Sequence, residues 1–189
     1  MEDSLLMKDN TEGDGKAEIV MDYVMSYSLR MATDAHFKKD SKLCQYCRYM
    51  LGALLGIAIT DDTNVESVKV WKEWRRIDLC VEAIVDNQNY ALLIENKYYT
   101  LLRDGQLEKY KKIFDEYYDS KKWERRYRLV SCLEDKEKIK KIYDLEIGNT
   151  EKDNKTEFSA LSFYDLFPNE DVYEDTESEI FNEFWLRKW

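Results

Sequence analysis

Histidine is almost missing from this 189-residue chain, with His36 as its sole example. That scarcity argues against His-dependent nuclease, protease and phosphatase chemistry, and it leaves a structural zinc site short of ligands. Cysteine is also sparse. Cys44, Cys47, Cys80 and Cys132 are too few and too scattered for a disulfide framework at this length. Cys44-x-x-Cys47 falls inside a helical pattern with no second such pair, so the thiols read as buried core groups. No Walker glycine loop, GxSxG elbow or GxGxxG occurs. No stretch approaches the roughly 18 consecutive apolar residues of a membrane span, and Met-Glu-Asp-Ser is acidic where a signal peptide is basic. The expectation is a soluble, cytoplasmic protein without membrane attachment.

What is present suffices for one packed domain, at 44% hydrophobic and 14% aromatic residues. Residues 1–15 are polar, hold Gly13 and Gly15 and show no apolar period, which predicts a disordered leader before a single domain over 16–189. The net charge of −10 is unevenly spread. Residues 1–63 carry −4 (seven basic, eleven acidic), 64–145 carry +2 (18 basic, 16 acidic), and the segment 146–189 carries −8 (four basic, twelve acidic). The middle is thus the sole net-basic part. Lys109, Lys111, Lys112, Lys121, Lys122, Arg125, Arg126 and Arg128 lie there among aromatic residues, a pattern suited to phosphate contact. The acidic segment could dock a protein partner or mimic DNA.

Within that middle, the apolar runs 77–85 and 90–99 flank Asp86-Asn87-Gln88-Asn89, which predicts a β-hairpin. Closure through Asn87-Gln88 puts Asp78 across from Lys97 and Cys80 across from Glu95, all on one face. Asp78 and Glu95 are then diagonal neighbours about 7–8 Å apart at the backbone, near enough to share a hard cation with oxygen ligands at roughly 2.0–2.6 Å. Leu79, Val81, Ala83, Leu92 and Ile94 occupy the other face as its core side. Burying the charged set costs several kcal/mol per uncompensated ion, on the order of the buried-pair penalty, unless a metal or full hydrogen bonding offsets it. Next, Asp104-Gly105-Gln106 opens a helix to about residue 120 with Asp104 as N-cap. Gln106 and Tyr110 share one face of it near the positive dipole end, which suits phosphate.

Asp78, then Glu95-Asn96-Lys97, then Gln106-x-x-x-Tyr110 resemble the PD-(D/E)XK nuclease superfamily, especially its RecB-like and small prokaryotic branches with an IENK-type core. Ile77 stands where the founding motif has proline, a departure that spares a ladder hydrogen bond. The resemblance implies an α/β, restriction-endonuclease-like core, a mixed four-stranded sheet flanked by helices in the order α-α-β-β-β-α-β-α. It further implies Mg²⁺ or Mn²⁺ held by Asp78, Glu95 and the backbone carbonyl of Asn96, with Lys97 beside the attacking water and DNA as substrate. Arg76 is expected on the same face, contacting phosphate or pairing with Glu95, and Lys109 and Lys112 are candidate DNA contacts. Members often carry a further glutamate on a helix before the sheet. Here that position falls near Cys44 or Gln45, leaving Glu66 or Glu73 as substitutes, and this gap favours the alternative of a catalytically inactive nucleic-acid- or protein-binding module. The four cysteines do not resemble the cluster-binding arrangement of some members.

Elsewhere, apolar spacing predicts helices over 18–36 and 41–55, the latter capped by Ser41 and ending near Gly56, and a strand over 65–74. A strand over 127–133, a basic helix over 135–143, a polar loop over 148–156, an aromatic strand or turn over 158–167 and a helix over 176–189 complete the reading.

Overall fold

A computed structural model describes residues 3–7, 16–98, 100–133, 135–143, 158–168 and 173–187. Two helices come first, α1 (Lys16–Met31) and α2 (Lys42–Leu55), and then β1 (Val65–Trp74), β2 (Ile77–Val85) and β3 (Gln88–Lys97). Helix α3 (Gln106–Tyr117), β4 (Glu124–Ser131), α4 (Lys136–Ile142) and β5 (Ser159–Ser162) follow, ahead of a 3₁₀ turn and the short α5 (Glu179–Phe181). The sheet runs β1-β2-β3-β4-β5, so it has five strands where four were expected. The first three are antiparallel neighbours, and β3-β4 and β4-β5 are parallel, as a sheet with a helical crossover requires.

Local chemistry accounts for these elements. The Ser41 hydroxyl accepts from the Cys44 amide at the start of α2, and Gly56 closes it in the left-handed region at φ 71°. The hairpin turn is Asp86-Asn87, with φ 48° and 66°, a left-handed pair that Asp and Asn tolerate and that matches strand twist. Gln88 therefore already pairs with Val85, and the register is two residues away from the expected one. The terminal helix expected over 176–189 is instead α5 followed by one π turn, Asn182–Leu186. The reason is Asn182, whose buried side chain accepts from Thr176 N and Oγ1 at 2.8 and 2.7 Å and donates back to Thr176 O.

Both sheet faces are covered, so a single core side is not what forms. Leu79, Val81, Ala83, Leu92 and Ile94 meet α1, α2 and the C-terminal turns in one core. Cys80, Ala91 and Leu93 meet Leu107, Phe114 and Tyr118 of the α3 region in a second. At the hairpin's open end the charged residues Asp78, Glu95 and Lys97 take the place of this apolar lining, while mid-strand Glu82 accepts from the Tyr118 hydroxyl.

Of the expected leader, residues 3–7 are described and are docked rather than free: Ser4 and Met7 are buried, and the amides of Leu5 and Leu6 donate to Glu183. The remainder of it, and the polar loop over 148–156, lie outside the described residues. Several of the acidic segment's described carboxylates serve the fold itself. Glu177 accepts from Ser41 Oγ and Leu43 N, Glu174 pairs with Lys42, and Asp175 pairs with Arg187. Among the described residues no helix is long and apolar enough to cross a membrane.

Candidate active site

The start of β2 and the end of β3 carry Asp78, Glu95, Asn96 and Lys97 side by side. With Leu79 opposite Ile94, the observed register brings Asp78 level with Glu95 rather than with Lys97. The shift is an even number of residues, so all three charged side chains still share a side of the sheet. Glu95 and Asn96 are fully buried and Lys97 is 6% exposed. Asp78 Oδ2 accepts from the Asn96 amide at 2.8 Å. Glu95 Oε1 accepts from Lys97 Nζ at 2.7 Å and from Gln106 Nε2 at 2.5 Å. Its other oxygen, Oε2, is buried without a partner, as is Asn96 Oδ1.

Helix α1 supplies two acids that the sequence reading missed. Glu18 Oε1 accepts from the Tyr98 amide at 3.0 Å and from Thr100 Oγ1, and Asp22 Oδ1 accepts from Asn96 Nδ2 at 2.6 Å. The helix carboxylates that lie beside the cluster thus come from α1, whereas the expected position at Cys44 or Gln45 is on α2. Glu18 and Asp22 stand four residues apart, on one face of a helix. That spacing was the available signal. Of the proposed substitutes, Glu66 is exposed at the far end of β1, beside the Val65–Val85 pair, whereas Glu73 reaches Asp22 with its charge.

Three carboxylates, Glu95, Glu18 and Asp78, therefore bear on one ammonium, and a fourth, Asp22, bears on Asp78. Burial, then the Asp78 charge, pushes Asp22 up to about 7. Burial raises Asp78 to about 6 against the pull of the Asn96 amide and Lys97, and burial plus Asp78 raises Glu95 to about 8. Lys97 is also raised: burial opposes its charge, but Glu95, Glu18 and Asp78 outweigh it. One lysine cannot neutralise the set, so the upward direction for Glu95 holds despite its short ion pair.

Helix α3 closes the site from the other side. Its N-cap is Gly105 at φ 66°, with no side-chain cap, so Asp104 does not play the expected part. Gln106 Oε1 instead accepts from the Arg103 amide, which fixes the amide group that reaches Glu95. Tyr110, one turn on, is half-buried, and burial together with the Glu95 and Asp78 charges keeps its phenol protonated. Arg76 is exposed in the β1–β2 turn at φ 73°, and the Glu95 partner is Lys97.

Half of the basic run is spent inside the fold, and Lys121 and Lys122 are exposed before β4. Lys111 and Arg125 pair with Asp115, Arg126 pairs with Glu124 and donates to Leu55 O, and buried Arg128 donates to Tyr127 O. Lys109 and Lys112 remain exposed on α3. All four thiols are free and none belongs to this site.

Among the described residues no three carboxylate, imidazole or thiol side chains already form a metal cage. The donor chemistry nonetheless fits a hard divalent cation: oxygen groups in excess of positive charge, with a buried Glu95 oxygen lacking a partner. A family model described as the PD-(D/E)XK nuclease superfamily matches residues 6–174. No match is found among curated proteins or among solved structures.

Proposed function

Because the chain belongs to the PD-(D/E)XK nuclease superfamily, we propose that it hydrolyses DNA phosphodiester bonds with the help of Mg²⁺ or Mn²⁺. The observation that carries this reading is the surplus of buried and half-buried acid, with Glu95, Glu18 and Asp78 bearing on Lys97 and Asp22 bearing on Asp78. Such a surplus costs several kcal/mol, on the order of the penalty for uncompensated buried charge, unless a cation offsets it.

In this mechanism Asp78, Glu95 and the Asn96 backbone carbonyl hold the ion. Held there, the ion would lower the pKa of coordinated water and offset the negative charge on the phosphoryl oxygens. Gln106 orients Glu95 through its amide, while Asp22 fixes Asn96. Lys97 is held as the ammonium by its acidic neighbours, so its part is to offset charge on the scissile phosphate rather than to take a proton. Arg76, Lys109 and Lys112 are proposed phosphate contacts.

The test is cleavage of labelled single- and double-stranded DNA by purified protein. Activity is expected with Mg²⁺ or Mn²⁺, none with chelator, and none from Glu95→Gln. A wild-type protein inert toward both substrates with every divalent ion overturns the proposal.

A further inference from the structure

A cleft of about 420 Å³ opens between α1 and the end of β1, lined by Ile19, Asp22, Tyr23, Trp71, Lys72 and Glu73 among others. Apolar and aromatic side chains stand exposed at its mouth among polar ones. Ile19, Tyr23 and Trp71 are 52, 62 and 39% exposed, and Lys72 Nζ sits 4.6 Å from the centre of the Tyr23 ring. The floor includes Asp22, which is bonded to Asn96 of the acid cluster, so this cleft and the candidate active site share a wall. Its volume lies in the range of sites that take one small organic group.

We infer that this cleft binds an unpaired nucleobase of a single-stranded segment next to the bond to be cut, stacking it against Tyr23 and Trp71. This rests on the nuclease reading and narrows its substrate. Two further observations favour a base over a phosphate and a single strand over a duplex. The carboxyl groups of Asp22 and Glu73 line the cleft and offer phosphate no donor beyond a half-protonated acid, leaving Lys72 at the rim as the cation for the backbone. The chain as a whole carries −10, and Arg125, Arg126 and Arg128 are bonded within the fold, so the broad basic face that a duplex needs is missing from β4. Aromatic stacking supplies affinity without such a face, but only to bases freed from their own stack.

The experiment measures fluorescence anisotropy of a labelled 20-nucleotide single strand, and of its blunt duplex, with Ca²⁺ present and the probe verified intact. Tyr23→Ala and Trp71→Ala should each weaken single-strand binding about five- to 150-fold, the range for one stacked base. Tyr23→Phe and Trp71→Phe keep a ring and should stay within about threefold of wild type, which a merely structural contact of the hydroxyl or indole would not predict. Unchanged single-strand affinity in the alanine variants, with Mg²⁺-dependent cleavage intact, overturns the cleft and leaves the nuclease reading standing. Loss of that affinity in a protein that cleaves nothing does the reverse. Duplex binding as tight as single-strand binding, or a wild-type dimer that the alanine variants dissociate, also overturns the inference, the latter by assigning the patch to a second copy of the chain.

Discussion

Arg48 and Glu95 are both buried ionic side chains, 3% and 0% exposed, yet their surroundings differ in kind. Arg48 is matched: it pairs with Asp34, donates to the carbonyls of Thr60 and Thr63 at 3.0 and 3.1 Å, and lies 3.8 Å over the Phe37 ring. Glu95 shares one lysine with two other acids, Asp78 and Glu18. Each has an atom without a hydrogen bond, Arg48 Nε and Glu95 Oε2, so an orphaned atom does not separate them. Charge balance does. A matched buried ion holds a loop in place, here the approach to β1, whereas an unmatched group of one sign is a cost that folding alone would not retain.

The sharpest way to break this contrast is Lys97→Ala, which should lower the cleavage rate about 10²–10³-fold while DNA affinity and metal binding stay largely intact. Single-turnover kinetics beside a binding isotherm reads the two apart. Next is the ion itself, which should stabilise the fold by about 2.7 kcal/mol at a hundredfold excess over Kd. Glu95→Gln should erase most of that gain in thermal unfolding with and without Mg²⁺, and equal gains would place the ion elsewhere. Arg48→Ala should cost roughly 2 kcal/mol, as expected for lost bonds to a charged group, and should leave the Mg²⁺-induced gain unaltered.

A smaller, directional effect concerns pH. Asp78, Asp22 and Glu95 are raised to about 6, 7 and 8, so without a cation the folded state retains protons that the unfolded chain releases near pH 4. Their help to stability is complete below about pH 4 and is lost as pH rises through 6 to 8. Urea unfolding across that window should show the decline, and Mg²⁺ should flatten it by favouring the ionised acids. Smallest of all, Lys112→Ala should reduce the salt slope of DNA binding by about one, whereas Lys111→Ala removes a helix pair with Asp115 and should shift stability by under about 0.5 kcal/mol.

Much of this contrast was legible in the residues. The strand over 65–74 and the capped helix ending at Gly56 are where periodicity and capping residues put them. The shared side of Asp78, Glu95 and Lys97 survived an error in the turn because strand faces depend on parity rather than on the particular pair. Glu18 and Asp22 escaped notice because acids on an amphipathic helix look like its wet face until the sheet they lean on is known. The β4 arginines misled for the opposite reason: a basic run looks exposed, but two of its partners, Asp115 and Leu55 O, come from elsewhere along the chain, and Glu124 is the strand's own first residue.

The order of strands has one more consequence, for how copies of this protein behave toward each other. An outermost strand presents unpaired backbone groups that can recruit another sheet, and long, flat, apolar ones invite aggregation. Neither edge here offers that template. β5 is only four residues long. β1 is ten, but it bulges between Val65 and Ser67, carries Glu66 and Lys69 exposed, and has its Val70 carbonyl taken by the Arg30 guanidinium at 2.6 Å. The apolar strands β2 and β3 stay inside, shielded from edge-to-edge growth into fibrils by neighbours that are poor seeds.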